Sequence, residues 1–266
     1  MYDNTCKFLA ENFSSDFASW ILGKPITLTK LEPSELSLEN IRADSVIFLQ
    51  SSEIILHIEF QTLPDRMIPF RMLDYRVRFY KKFPDKDVYQ VVIYLKPSVS
   101  PLVHQTTFIL SSTSHKFNAI RLWEEPPEIF QQYSGLLPFA PLANTSDPEA
   151  TLRQVARQIA NISDKNVQGN IAASTYITSG LVLNKEIIQR LLRSEIMKES
   201  VTYQEILSEG LAEGKARGLA EGKAEGKAEG KAEAVRQVAA NMLRSQFDIN
   251  LIAQFTGLSV DEIQKL

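Results

Sequence analysis

The sequence predicts a mixed α/β domain followed by a helical tail, and three patterns carry this prediction. Two β-branched, apolar runs at 44–49 and 54–61 flank the polar segment 50–53, which is typical of two strands joined by a tight turn. A continuous apolar run at 88–95 predicts a strand that is buried on both faces. Apolar residues at three- and four-residue spacings predict helices before, between and after these strands.

The helices are delimited by residues that favour helix ends. The first stops before a glycine and a proline, the second carries a proline in its first turn, and the third follows an Asp-Pro pair suited to a cap. Two short strands complete the pattern. The predicted elements are helix 3–22, strand 28–31, the hairpin 44–61, helix 69–83, strand 88–95, strand 117–123, and helices 147–162, 168–183 and 184–197.

Composition limits the classes of function. The chain has 266 residues, of which 44% are hydrophobic and 23% charged, as in an ordinary globular protein. A net charge of −3 excludes a protein that permanently coats nucleic acid, so any DNA contact must come from a local basic surface. The single cysteine, Cys6, excludes an internal disulfide and a multi-cysteine zinc site. With no secretory leader and no apolar segment of ~20 residues, we expect a cytoplasmic protein without a membrane span.

The predicted hairpin brings two acids together. If it closes symmetrically about 51–52, Asp44 lies opposite Glu59, at a Cβ separation of roughly 4.5–5.5 Å. Like charges at that distance are destabilising, and a divalent cation would compensate them. The two-residue strand period places His57 and Gln61 on the same face, and we interpret His57 as a structural partner rather than a ligand. The alternate residues form an apolar face that should pack on helices and leave the polar face as a cleft.

An Asp before a turn, followed one strand later by Glu-x-Gln, resembles the PD-(D/E)XK nuclease superfamily, in which a Lys usually stands where this chain has Gln61. More closely, the chain resembles the bacterial family of recombination-promoting nucleases, also described as transposase-like. The resemblance is best over the first hundred residues, and it is carried by Asp3, Lys7, Arg42-Ala43-Asp44, Glu59-Phe60-Gln61-Thr62, Met67, Pro69, Arg71, Leu73 and Tyr75. The glycine-rich repeat and the closing segment IAQFTGLSVDEI are also similar to family members.

The resemblance implies a nuclease fold with a mixed sheet flanked by helices. It also implies that Asp44 and Glu59 hold Mg²⁺, with Mn²⁺ as an alternative, and that Gln61 completes the catalytic set by orienting water. An amide cannot supply positive charge or accept a proton as an amine can, so we expect weak activity or a need for a second ion.

Three further residues have two interpretations each. The resemblance places Asp3 and Lys7 at the border of the active site, whereas their four-residue spacing equally fits an exposed ion pair on one helix. Arg42 could steady Asp44 or meet a phosphate, or it could have a plain surface role.

The predicted helix 69–83 has an apolar and a basic side. Its expected buried stripe is formed by Phe70, Leu73, Val77 and Tyr80. Beside it lies a second stripe with a local excess of basic side chains, which could follow a DNA phosphate backbone or could be a solvated helix face. This candidate DNA-binding stripe consists of Arg71, Tyr75, Arg78 and Lys82.

Composition shifts divide the chain into a nuclease-like domain at 1–145, a helical subdomain at 146–208, a glycine repeat at 209–233 and a helical hairpin at 234–266. The repeat places a glycine at every fourth position, and each interior glycine costs a helix about 0.8–1 kcal/mol relative to Ala. We expect a long helix that a partner chain stabilises, giving a homo-oligomer, with a flexible linker as the alternative.

The last predicted segment contains a short helix, a Gly-containing turn and a second helix that opens with the capping box Ser259 and Glu262. This order is typical of a helix-turn-helix. The second helix has only Lys265 as a basic residue, so packing or self-association is favoured over reading DNA.

Two functions are consistent with these patterns. The first is a metal-dependent DNA endonuclease that hydrolyses phosphodiester bonds and promotes recombination, as the family implies. The second is a non-catalytic DNA-associated or scaffold protein that keeps the fold and oligomerises through its tail. Binding of Mg²⁺ or Mn²⁺ between Asp44 and Glu59 would discriminate the two.

Overall fold

The computed structural model describes residues 2–31, 46–192, 234 and 236–263. These residues form two compact units, which divide after residue 207. The first unit is a five-stranded mixed sheet flanked by helices, which confirms the predicted α/β class. The finer assignment to the PD-(D/E)XK fold stays a prediction, as do the predicted domain boundaries.

The sheet has the strand order β1-β2-β3-β4-β7, with antiparallel pairs on the β1 side and parallel pairs between β3, β4 and β7. β4 is buried between two parallel neighbours, as its continuous apolar run predicted. A separate hairpin is formed by β5 and β6. The strands are β1 Thr29–Lys30, β2 Val46–Gln50, β3 Ile54–Gln61, β4 Asp87–Tyr94, β5 Thr107–Leu110, β6 Thr113–Lys116 and β7 Asn118–Arg121.

The predicted helices of the first unit are present in the predicted order with small shifts in their bounds, whereas the short helix Pro127–Gln131 and the hairpin of β5 and β6 were not predicted. The predicted helix 3–22 is two helices that break at Phe13. Asp147 caps α5 as predicted, because its carboxylate accepts a hydrogen bond from the Ala150 backbone at 2.9 Å. The helices are α1 Tyr2–Asn12, α2 Ser14–Leu22, α3 Ile68–Lys82, α4 Pro127–Gln131, α5 Pro148–Ala160, α6 Lys165–Ser179 and α7 Lys185–Leu191, with 3₁₀ turns at Pro101–His104, Leu122–Glu124 and Ser134–Leu142. None of the described helices is long and apolar enough to cross a membrane.

The main core lies on the apolar face of β3. Ile58 and Phe60 point from that face into a cluster that also contains buried residues of α1, α2, α5 and α6. The Phe60 ring meets Phe17 edge-on, with centroids 6.3 Å apart, and stacks on Phe139 at 5.9 Å. This confirms that the apolar face packs on helices.

The polar face of β3 is covered by α3, so the predicted open cleft is wrong. α3 connects the parallel strands β3 and β4, and a crossover of this kind lies against the sheet. Its buried residues are Ile68, Met72, Tyr75 and Phe79, while Phe70, Val77 and Tyr80 are exposed. The predicted buried stripe is therefore on the wrong side of the helix, because α3 carries apolar residues around most of its circumference and the sheet selects one side.

The hairpin closes one residue later than the predicted centre. The Ser51 backbone donates to the Ile54 carbonyl at 2.9 Å, and the Ser51 hydroxyl accepts from the Ile54 backbone at 3.1 Å, so the loop is 52–53. Val46, not Asp44, consequently lies opposite Glu59. The shift equals two pairing positions, which keeps every side chain of β3 on its predicted face.

The described part of the second unit forms three short helices: α8 at 236–244, α9 at Ile249–Thr256 and α10 at Val260–Ile263. They share a small core of Ala239, Ile252 and Ile263. Gly257 ends α9 with a φ of 74°, a backbone conformation that favours glycine.

The predicted capping box is present at the start of α10. The Ser259 backbone donates to the Glu262 carboxylate at 2.9 Å, and the Glu262 backbone donates to the Ser259 hydroxyl at 3.3 Å. The predicted repeat at 209–233 lies outside the described residues, so its helical or linker character stays a prediction.

We predict that Gly135→Ala destabilises the first unit by about 1–3 kcal/mol, the usual range for overpacking. A methyl group at Gly135 would lie 2.2 Å from Cβ of Phe13, and the Gly135 backbone also donates to the Asp16 carboxylate at 2.8 Å. Urea unfolding measures the change, with the exposed neighbour variant Ser134→Ala as control. Equal stability of the two variants would contradict the close approach.

Candidate active site

Glu59 is buried in the middle of the sheet. It lies on β3, opposite Val46 of β2 and beside Val92 of β4. Only 1% of its surface is exposed, because α3 covers this face. A carboxylate rarely occupies such a position without a partner, since removing a charge from water is costly.

Arg71 of α3 supplies part of the required compensation. Its Nη2 donates to Glu59 Oε1 at 2.6 Å, and its Nη1 donates to Asp65 Oδ2 at 2.9 Å, so one guanidinium bridges two acids. Gln61 Nε2 lies 3.5 Å from the same Glu59 oxygen. Glu59 Oε2 and Arg71 Nε are buried and have no hydrogen-bond partner among the described residues. The site is therefore only partly satisfied.

The burial of Glu59 controls its protonation. Burial raises the pKa of Glu59 from 4.5 to about 7, and this effect outweighs the lowering by the Arg71 charge. Burial, together with the Glu59 charge, also raises the pKa of Tyr75 on α3 and of Tyr94 on β4, whose phenols stay protonated. Glu59 therefore gains and loses its proton near neutral pH, where the phenols of Tyr75 and Tyr94 are neutral.

His57 has a structural role beside this site. The Gln90 amide nitrogen lies 2.9 Å from His57 Nδ1 and also donates to the Met72 carbonyl at 2.8 Å, while the Gln90 amide oxygen accepts from His115 Nε2 at 2.8 Å. Burial lowers the pKa of His57 from 6.5 to about 3, so the imidazole is neutral. A neutral ring with a buried amide partner agrees with the interpretation of His57 as a structural partner.

The unpaired oxygen of Glu59 fits a hard cation, which prefers oxygen ligands. Within the described ranges, however, no group of three or more His, Cys, Asp or Glu side chains is placed to hold a metal ion. The predicted pairing of Asp44 with Glu59 rests on a register that the hairpin does not have, since Val46 lies opposite Glu59. Asp44 and Arg42 themselves lie outside the described residues. Their places in the site therefore stay predictions.

The predicted DNA-binding stripe does not form one exposed row. Tyr75 is buried against the Phe48 and His57 rings, so its predicted contact with DNA is wrong for this structure. Arg71 is engaged by Glu59 and Asp65, and Arg78 forms an ion pair with Asp74 at 3.0 Å. Lys82 is exposed. The predicted row is broken because the rotation of α3 turns part of this side of the helix towards the sheet.

Asp3 and Lys7 lie on α1, which packs on the apolar face of the sheet, opposite the face of Glu59. Whether they border an active site stays a prediction.

Sequence reasoning missed Asp65 and Tyr94, which come close to Glu59 only through the loop before α3 and the neighbouring strand. The one sequence signal for Asp65 is its turn position: its carboxylate accepts from the Met67 backbone at 2.8 Å.

Comparison with protein-family models matched residues 232–266 to the model described as the C-terminal HTH domain of the Rpn/YhgA-like nuclease family. The match covers the three helices of the second unit and agrees with the helix-turn-helix pattern of the sequence. It also confirms the resemblance to the recombination-promoting nuclease family. Comparisons with curated proteins and with solved structures gave no match.

We predict that the buried charge of Glu59 destabilises the fold as pH rises. The carboxyl loses its proton near pH 4.5 in the unfolded chain but near 7 in the folded chain. The free energy of unfolding is therefore highest below pH 4.5 and falls as pH rises through 7. Glu59→Gln removes this dependence and should therefore gain roughly 2–3 kcal/mol over the wild type between pH 4.5 and 8. Urea unfolding across this range measures the gain.

The exposed variant Glu124→Gln is the matched control, since Glu124 also has an arginine partner, Arg121, at 2.7 Å. A pH-independent difference between Glu59→Gln and the wild type would show that Glu59 is ionised across the whole range.

Proposed function

We propose that this chain, whose C-terminal domain matches the Rpn/YhgA-like nuclease family, acts on DNA as a metal-dependent endonuclease that hydrolyses phosphodiester bonds. The observation that carries the proposal is Glu59, a buried carboxylate whose Oε1 pairs with Arg71 and whose Oε2 has no hydrogen-bond partner among the described residues. Perturbed, partly satisfied acids of this kind are more common at functional sites than elsewhere. A role in promoting recombination follows from the family resemblance.

Glu59 and Asp44 would hold the metal ion, which we propose to be Mg²⁺ with Mn²⁺ as an alternative. When bound, such an ion supplies a Lewis acid for the scissile phosphate and lowers the pKa of an attacking water. A carboxylate must be ionised to serve as a ligand. Since the pKa of Glu59 is about 7, metal binding should strengthen as pH rises through neutrality.

The neighbouring side chains have separate tasks. Arg71 stabilises the ionised form of Glu59 through Oε1 and leaves Oε2 available. Gln61, at 3.5 Å from Oε1, carries an amide that can donate to or accept from a water beside the carboxylate. Tyr75 of α3 and Tyr94 of β4 are buried, and their phenols stay protonated, so neither adds a negative charge near Glu59.

DNA binding is supported by the match of residues 232–266 to a helix-turn-helix domain. On α3, Lys82 is exposed and Arg78, which pairs with Asp74, is half-exposed, so a phosphate can reach both. These groups are consistent with transient binding by a chain whose net charge is −3. A homo-oligomer through the repeat remains a prediction.

The alternative function, a non-catalytic DNA-associated or scaffold protein, has a specific observation in its favour. Arg71 already provides a cation for Glu59, and Val46 rather than an acid lies opposite it. In that case the ion pair is a structural feature of a nuclease-like fold that has no metal. Titration with Mn²⁺ distinguishes the two, because only the endonuclease requires a metal ion at Glu59.

We predict that Asp44→Asn and Glu59→Gln each reduce metal-dependent plasmid nicking to background and weaken Mn²⁺ binding, since each removes one proposed ligand charge while keeping the side-chain shape. Nicking with a Mg²⁺ and Mn²⁺ series and a Mn²⁺ titration measure both effects. Glu124→Gln should behave as the wild type. Nicking retained in both acid variants would place the nuclease site elsewhere or show that none exists.

We predict that Gln61→Lys preserves or raises nicking. If Gln61 only positions water, an ammonium group at the same place can do so and adds the positive charge that the superfamily usually has there. Initial nicking rates at several pH values measure the effect. A loss of nicking with unchanged Mn²⁺ binding would instead show that the amide itself is required.

A further inference from the structure

A small cavity lies where the first residues of β4 meet α3 and β6. Its volume is about 250 Å³, which is below the roughly 300–1,000 Å³ of pockets that enclose drug-sized ligands. Its lining includes Arg76 of α3, Gln90 of β4, His115 and Lys116 of β6, and Asn118. None of the described residues that line it is an acid, and Asp87, at the start of β4, lines a different cavity. The cavity therefore has room for one small group, and its charges favour an anion.

The two cations of this cavity have no acidic partner among the described residues. Arg71 and Arg78, on the same helix as Arg76, are both engaged by acids. Arg76 instead donates through Nη1 to the Val88 carbonyl at 3.2 Å, which holds the guanidinium against β4. Its remaining N–H groups are left for a ligand. Lys116 is exposed, so its long side chain can bring an ammonium group to the opening of the cavity.

The orientation and the tautomer of His115 are fixed by Gln90, which is buried. The Gln90 amide nitrogen donates to the Met72 carbonyl at 2.8 Å, so its amide oxygen is the group that lies 2.8 Å from His115 Nε2. His115 Nε2 therefore carries the proton, and Nδ1 becomes a second donor when the ring is protonated. Burial and the Arg76 charge lower the pKa of His115 below 6.5. An anion beside Arg76 would offset that charge and favour the protonated ring.

We propose that this cavity binds a phosphomonoester dianion, held by Arg76 and Lys116 with His115 as a further donor. A phosphate monoester carries a charge of roughly −1.5 to −2 near pH 7, which two cations balance. The planar guanidinium of Arg76 can donate to two phosphate oxygens at once. An internal phosphodiester has a single charge and continues as a chain on both sides, so it fits a small cavity with two cations less well.

A phosphomonoester of this kind is carried by the end of a nucleic-acid strand, and inorganic phosphate has the same chemistry. The strand end as the source rests on the proposed action on DNA, whereas the anion site itself does not. The site also differs from the proposed metal site, because its charged groups are cations rather than carboxylates.

Calorimetric titration of the full chain with inorganic phosphate tests the site, in the presence of a chelator so that no divalent metal bridges the anion. Arg76→Gln should weaken phosphate binding about 10-fold or more, because a charge-assisted hydrogen bond is lost. Lys116→Gln should weaken it as well, and Arg76→Lys, which keeps the charge, should lose less. Arg66→Gln is the matched control, since Arg66 is exposed and does not line the cavity. Urea unfolding shows whether each variant is folded.

The source of the phosphate is tested with oligonucleotides that differ only in a terminal phosphate, at either end. The phosphorylated strands should bind the wild type more tightly than the unphosphorylated strand, and Arg76→Gln should abolish this preference. Binding of inorganic phosphate without such a preference would assign the site to free phosphate. An equal loss for all strands in Arg76→Gln would place a backbone phosphodiester in the cavity and overturn the monoester.

Absence of phosphate binding by the wild type would also overturn the proposal, as would equal phosphate affinity of Arg76→Gln and Arg66→Gln. Glu59→Gln separates this site from the proposed nuclease. It should lose nicking but bind inorganic phosphate as the wild type does, so failure of one proposal is not failure of the other.

Discussion

The ion pair between Glu59 and Arg71 is the interaction on which the arrangement of this fold depends. Glu59 lies on a central strand, where an uncompensated carboxylate would be strongly unfavourable. Within the part of the chain that the structure describes, the cation that pairs with it is Arg71 of the covering helix, at 2.6 Å. The rotation of α3 about its axis is thereby constrained, because Arg71 must point towards Glu59 in the middle of the sheet. This orientation sets the direction of the other side chains of the helix.

That rotation has consequences on both sides of α3. Tyr75 and Phe79 enter the aromatic pocket around Phe48 and His57, where ring contacts of 4.7 to 5.8 Å fill the space under the helix. The same rotation turns Val77 outwards. One helix therefore covers a buried acid site with one side and exposes apolar side chains on the other.

The site itself is left incompletely satisfied. Arg71 compensates one oxygen of Glu59, the other has no partner among the described residues, and burial keeps the pKa near 7. A structural ion pair selected for stability alone would be expected to satisfy both oxygens. The second oxygen of Glu59 is the feature on which the proposed nuclease function rests, and the helix-turn-helix match is an independent indication of a DNA-related function.

The sequence by itself determined most of the elements and the two faces of β3, because period-two and period-3.6 patterns are local. It placed Glu59 on the polar face of β3, and the two-position error in register left that face unchanged. Tertiary structure decided what local patterns could not. The register depended on hydrogen bonds of the Ser51 side chain, and the partner of Glu59 was an arginine twelve residues away on a helix. The sheet selected the buried side of α3, because the sequence of a helix that is apolar on both sides does not determine which side is buried.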